Sequence, residues 1–375
     1  MFPPLAYLDW IKGRPAEADH DLGSSDLRTA LPGDAVDPVP DRLAGLSGPT
    51  GDATLEAAVA DEYGVDPASV LLTAGATHAN FVAAATAHAL AVERADETAD
   101  GSTPRALVEK AGYEPLVETP RALGTRVERF RRPGPEAALD PDRAASALDT
   151  AGDVPLSHLT VTNRHNPTGY LADREDLAEM AEVARDRGGY LLVDEVYAPY
   201  TADARGERAF GGPTAAGLPA TVVTGSLTKF HGLGELRVGW VVGPERFVDR
   251  AGDVVDHVPG PGRPSVALAR RFFEHRDALV ADAREHCAAN HDLLAAFVAD
   301  RSDLSGVVAD GSPFAYVEHD RADGDAVSEA AWEAGVLVVP GRFFGAVDGV
   351  RVSLGREPGE SEAALAAFGR VLDDL

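Results

Sequence analysis

The sequence predicts an α/β fold: a large domain whose mostly parallel sheet is covered by helices on both faces, followed by a smaller α+β domain. Three observations predict it. Short, nearly uninterrupted apolar runs recur with amphipathic or Ala-rich stretches between them, as expected of buried parallel strands alternating with helices. At Pro259-Gly260-Pro261-Gly262 that rhythm meets a breaker, and a long helical stretch follows. The length of 375 residues suits one large domain with a smaller one appended, at roughly 150 residues per domain.

In chain order, Val70 to Thr73 reads as a strand leading into an Ala-rich helix from Thr77 to Val92. Strands follow at Arg105 to Val108 and Leu159 to Thr162, then a helix from Arg174 to Arg187, then strands at Tyr190 to Val193, Thr221 to Thr224 and Val238 to Val242. Beyond the breaker, a helix is expected from Ser265 to Arg301, with Leu268, Phe272, Leu279 and Leu293 among its apolar positions. Val307-Val308, Phe314 to Val317, Val336 to Val339 and Val350 to Leu354 read as strands, with a helix from Asp325 to Ala334 among them and another from Glu360. The first 40 residues, broken by Pro32, Pro38 and Pro40, show no sheet pattern of their own and are expected to pack against the smaller domain. The expected division is therefore residues 41–258 for the large domain and 1–40 with 259–375 for the small one.

Composition removes several function classes. Lys+Arg total 34 against 61 Asp+Glu, a net charge of −27, and no basic stripe offers itself to nucleic-acid phosphates. No apolar run approaches the ~18 residues that cross a bilayer, and Asp9 interrupts the stretch where a signal peptide would be apolar, so a soluble cytoplasmic protein is expected. Cys287 is the single cysteine, which excludes an intramolecular disulfide and zinc sites built on Cys pairs. His286 and His291 are five residues apart, off the one-face helical spacing, so no metal site is expected there. Lysine occurs only at Lys12, Lys110 and Lys229; few lysines beside abundant Asp, Glu and Ala resemble the proteins of salt-adapted prokaryotes. Screening of so acidic a surface should stabilise the compact state, read as a melting temperature that rises from low to molar salt.

Four strand-end segments carry polar residues of the kinds that bind ligands at the carboxyl edge of an open sheet. In Thr73-Ala74-Gly75-Ala76-Thr77 the small residues let helix N-terminal N–H groups approach an anion, although an ordinary turn capped by Thr77 would look the same. Asn166-Pro167-Thr168-Gly169 is a turn that can also aim the Asn166 side chain at a ligand. Asp194, in Asp194-Glu195-Val196-Tyr197, closes a buried apolar strand, where a carboxylate is costly without a cationic partner nearby. Lys229, after Ser226-Leu227-Thr228, stands in an apolar, Gly-flanked loop where desolvation is expected to lower its pKa and make it nucleophilic. His165 and His231 lie beside these segments and could support them, but read rather as polar loop residues. Together the segments ask for a planar cofactor with a phosphate, a ring nitrogen to be kept protonated and a carbonyl carbon for an amine, which describes pyridoxal phosphate.

With those motifs in place, the chain from about Asp41 to Leu354 resembles the fold-type I pyridoxal phosphate enzymes of the class I/II aminotransferase family. Asp194 stands 28 residues after Asn166, Tyr197 three after Asp194, and Arg237, in Arg-Val-Gly-Trp, eight after Lys229, as in the family. The resemblance implies a seven-stranded-type sheet and an aminotransferase working through pyridoxal 5′-phosphate on an α-amino acid and a 2-oxo acid. By the same resemblance Lys229 forms the Schiff base and moves the substrate proton. Asp194 holds the pyridine nitrogen protonated, while Tyr197 and Asn166 bond the phenolic oxygen. Ser226, Arg237, Ala76 and Thr77 hold the phosphate, Tyr113 stacks on the ring, and Arg351, with Asn166 beside it, grips the substrate carboxylate. A homodimer is implied as well.

Three features depart from the family or fall outside its motifs. Leu43 to Gly51 contains no tyrosine to reach a partner subunit's phosphate, and no second arginine offers itself to a side-chain carboxylate, so dicarboxylic substrates are not expected. Ser24 and Ser25 stand where relatives place small polar residues in the segment that caps the substrate. A lyase, decarboxylase or cyclising enzyme of the same fold, as in the capreomycidine synthase-like branch, is the alternative reading.

Overall fold

The computed structural model of the chain describes residues 4–27, 39–97, 103–150, 154–203 and 208–375. Seven strands make the large sheet, in the spatial order Val70–Thr73, Gly239–Val242, Thr221–Ser226, Tyr190–Asp194, Leu156–Thr162, Arg105–Lys110, Arg126–Arg131. All neighbours are parallel except Gly239–Val242, which runs against the strands on both of its sides. The alternation of side chains explains why both faces are covered. Leu191, Val193 and Val223 join a core with Leu177, Met180 and Ala184 of the helix Arg174–Asp186. Leu192, Val222 and Val241 point the other way, onto Ala79, Val82, Ala83 and Ala87 of the helix Ala76–Glu97 and Phe247 of the helix Glu245–Val255.

The smaller sheet is antiparallel, in the order Val339–Pro340, Gly349–Ser353, Phe314–His319, Leu304–Gly306. Its Ala315, Val317, Val350 and Val352 pack on Val327 and Ala331 of the helix Gly324–Glu333, on Leu294 and on Phe368. Among the described residues no helix is long and apolar enough to cross a membrane.

Several expected elements differ. The strand Arg126–Arg131 was not expected, because Arg126, Glu128, Arg129 and Arg131 hide its apolar pattern; it is an edge strand, where charge is tolerated and blunts further pairing. The expected single helix is broken at His275 into Arg263–Glu274 and Arg276–Ala299. Val307-Val308 is no strand; the register against Val317 to His319 places the strand at Leu304–Gly306 instead. Val336 to Val339 divides, with Val336–Leu337 pairing parallel with His20–Asp21 and Val339–Pro340 joining the smaller sheet. The amino-terminal segment thus does carry a strand, but one of two residues whose partner lies over 300 positions away, beyond the reach of local pattern. Pro32 and Pro38 lie outside the described residues.

Candidate active site

Parallel strands all finish on one side, so the loops after Thr73, Lys110, Thr162, Asp194 and Ser226 leave from one edge of the sheet. Gly239–Val242 runs the other way, so Arg237, two residues before it, is brought to that same edge. There Ala76, Thr77, Tyr113, Asn166, Asp194, Tyr197, Ser226, Lys229, Arg237 and Arg351 line one cleft with about 730 Å³ of space not filled by protein atoms. Every site residue expected from sequence is among them.

Asp194 ends its strand 6% exposed. Asn80 Nδ2 donates to Oδ2 at 2.8 Å and the Val196 N–H donates to Oδ1 at 3.2 Å, while Thr224 Oγ1 donates to Asn80 Oδ1 at 2.6 Å and so orients the amide. The cationic partner expected beside it is missing: Asp194 makes no ion pair among the described residues, and Lys229 acts on it only from a distance. Burial therefore pushes its carboxyl up, against the opposing effect of those two hydrogen bonds.

Lys229 donates to Ser25 Oγ at 3.4 Å, and Ser25 Oγ lies 2.7 Å from Tyr197 Oη. The lowered pKa expected of Lys229 is not found. Burial does act downward, but Tyr197, Asp26 and Tyr7 together outweigh it and the net direction is up. An ammonium in this cleft is stabilised by negative potential that the local sequence does not display.

One corner suits a divalent anion. The helix Ala76–Glu97 points its N-terminus into the cleft, with the Ala76 and Thr77 N–H groups at its first turn. Gly75, at φ +85°, lets Arg237 lie against the turn; a Cβ there would stand 2.9 Å from Nη2. Arg237 Nη2 donates to Ala74 O at 3.2 Å and makes no ion pair among the described residues. Ser226 Oγ accepts the Thr228 N–H at 3.3 Å, and both residues face the same corner.

Across the cleft, Arg351 is 2% exposed on the smaller sheet. Nη1 donates to Asn166 Oδ1 and Nη2 to Gly23 O, each at 2.8 Å, and Nε has no hydrogen-bond acceptor among the described residues. A buried guanidinium without a carboxylate is costly in a finished site and suited to an incoming one. The bond from Arg351 commits the amide oxygen of Asn166, so what Asn166 offers the cleft is its N–H donors. The loop carrying Asn166 is held from beneath by two buried arginines. Arg164 donates to Tyr200 O, Gly169 O and Asp310 O. Arg132 pairs at 2.7 Å with Glu109, whose other oxygen accepts the Thr162 N–H at 2.8 Å.

Comparison with known proteins agrees with this geometry. Residues 20–368 match the family model described as aminotransferase class I and II. The chain belongs to that family. A histidinol-phosphate aminotransferase of Paracoccus denitrificans is 31% identical over 55% of this chain, a span that covers 54% of that relative. Capreomycidine synthase of Streptomyces vinaceus is 28% identical over 99% of this chain and 94% of its own length. Among solved structures, a pyridoxal phosphate-dependent aminotransferase from Streptococcus suis superposes with a TM-score of 0.80 at 20% identity, covering 100% of this chain and 98% of its own. The pyridoxal phosphate-dependent cyclase OrfR does so with a TM-score of 0.77 at 24% identity, covering 99% and 97%. These two likenesses establish the fold.

Pyridoxal 5′-phosphate is the cofactor of this family member, and the residues present fit it. The unpaired buried Asp194 matches a protonated ring nitrogen, and the corner of helix N-terminus, Ser226 and Arg237 matches a phosphate.

The cleft also holds Tyr7, Asn80, Thr162, Val196 and Thr228, which sequence reasoning missed. Asn80 had a signal, being a polar residue one helical turn beyond Ala76 in an otherwise Ala-rich stretch. Tyr7 had none; it reaches the site from the short helix Ala6–Ile11, which Glu114 anchors through the Tyr7 N–H at 2.7 Å. Tyr113 packs edge-on to Tyr7, ring centroids 5.8 Å apart, and burial raises its pKa so that the phenol stays neutral. His165 and His231 lie in loops as expected, but both are buried. His165 bonds Thr168 and Ala111 O, and His231 packs among Phe210, Phe230 and Phe272; burial lowers both pKa values. His286, Cys287 and His291 each bond a separate backbone carbonyl.

Proposed function

We propose that the chain is an aminotransferase, working as a homodimer, that moves the amino group of an α-amino acid without a side-chain carboxylate to a 2-oxo acid. The observation that carries this reading is a pair of buried charges, Asp194 and Arg351, each without an ionic partner and both facing the cleft that holds Lys229. The cofactor, when bound, supplies an aldehyde for an amine and a ring that accepts the electron pair released at the amino acid's α-carbon. Asp194 then keeps the ring nitrogen protonated. Arg351 grips the α-carboxylate with parallel N–H donors and so orients the α-carbon toward Lys229, whose amine takes up and returns the α-proton. Tyr197 and Asn166 donate toward the phenolic oxygen, Tyr113 covers the ring, and Ala76, Thr77, Ser226 and Arg237 hold the phosphate. In this reading residues 41–258 form the cofactor-holding domain, and 1–40 with 259–375 form the second.

A neighbouring cleft shares Tyr7, Tyr113 and Lys229 and extends past Leu8, Ile11 and Asp26. Among the described residues its lining contains no basic residue apart from Lys229, so none of them offers a second carboxylate a partner there. A cyclising or lyase reaction on the same cofactor is the second reading, supported by the match to capreomycidine synthase over 99% of the chain.

Incubating the cofactor-loaded chain with a panel of amino acids and assaying 2-oxo acids tests the proposal. Neutral amino acids should release 2-oxo acid and aspartate and glutamate should not. Arg351→Lys, which loses the planar fork, should raise KM about tenfold or more with a smaller effect on kcat. Ammonia, carbon dioxide or a cyclic product without 2-oxo acid would move the assignment to the second reading.

A further inference from the structure

The segment from Asp21 to Leu27 is fastened across the cleft. Arg351 holds Gly23 O at 2.8 Å, Tyr200 Oη donates to Ser25 O at 3.0 Å, and the Leu27 N–H donates to Lys229 O at 3.1 Å. These bonds fix the backbone on both sides of Ser25, whose side chain is 5% exposed between Tyr197 Oη at 2.7 Å and Lys229 Nζ at 3.4 Å. An ammonium has donors only, so Ser25 Oγ accepts from Lys229 and keeps its own proton to give to Tyr197 Oη, a bond in which either hydroxyl can be the donor. With Ser25 as that donor, Tyr197 has its proton free to donate into the cleft.

We propose that Ser25 is a positioning residue that joins Lys229 to Tyr197 in one directed hydrogen-bond chain, so that the proton affinity of the amine and the donor direction of the phenol are set together. This rests on reading Lys229 as the reacting amine. Other groups that face it are Tyr7 from the amino-terminal helix, Asp26 beside Ser25, Asp194 at the strand end and Arg351 from the smaller sheet. They act on the amine through space, whereas Ser25 is its one hydrogen-bond partner among the described residues.

The chain contains only Lys12, Lys110 and Lys229, so the full-length protein labelled with [ε-13C]lysine offers three amine signals to follow by NMR as pH is raised. Ser25→Ala should lower the Lys229 midpoint by about one unit and leave the other two lysines unmoved, and Ser25→Thr should restore it. An unmoved midpoint overturns the proposal, and so does a shift that threonine does not reverse, since that would mark a packing effect rather than the hydroxyl. Should Ser25→Ala fold poorly, Tyr197→Phe reads the same chain from its other end and should also lower the midpoint; no shift there overturns the proposal equally. Neither cofactor nor substrate takes part in the titration, so its failure is separate from failure of the amino-acid panel.

Discussion

Replacing Lys229 with alanine should reduce amino-acid turnover by at least about 10³-fold, the scale of losing a positioned acid–base group, and should abolish the visible absorbance of the lysine-linked cofactor. Lys229 is the one lysine that lines the cleft, and the amino-terminal segment is tied to its own backbone carbonyl, so no other amine can take its place without refolding. Alanine leaves the Asp194 and Arg351 sides of the cleft intact, and the variant should still bind the cofactor and melt near the wild-type temperature. Activity within about tenfold of wild type would remove Lys229 from the role given to it.

Asp194→Asn should have the second largest effect, a loss of roughly 10²-fold or more in kcat, with a smaller rise in melting temperature on adding the cofactor than wild type shows. The cause is charge rather than shape. In the unliganded chain burial raises the Asp194 pKa, so its favourable contribution is full below the ordinary carboxylate range and is lost as pH rises through the raised folded value. At neutral pH the buried anion therefore costs stability until a cation covers it. A protonated ring nitrogen is such a cation, and asparagine, which carries no charge, cannot hold that proton. Equal thermal gains from the cofactor in the variant and in wild type, with kcat preserved, would contradict the role.

The parts of the site that were legible in the sequence are those whose chemistry travels with a strand end. Asp194, Asn166, Ser226 with Lys229, and the turn before Ala76 each follow an apolar run, and the edge to which such residues are delivered follows from parallel pairing alone. Asn80 was half legible, since an amide in an Ala-rich helix face invites a partner. Ser25 was noticed without a position, because two adjacent serines between Gly23 and Asp26 have no periodicity to place them. Tyr7 left no trace at all. The edge strand Arg126–Arg131 was hidden for a related reason: it is exposed on one flank, and solvent accepts the arginines that erase its apolar pattern.

By itself the sequence pointed to the α/β class and the cofactor, because short-range patterns of apolarity and strand-end chemistry encode them, and its resemblance to a known family implied ten residues that line the cleft. Tertiary structure alone decided how the charges of those residues balance. Asp194 turned out to lack the cation expected for it, Arg351 to lack a carboxylate, and Lys229 to have its pKa raised by Tyr197, Asp26 and Tyr7 despite its burial. The physical reason is distance: electrostatic energy depends on separations of a few ångströms between groups that stand as far apart in sequence as Ser25 and Lys229, and only the folded chain sets those separations.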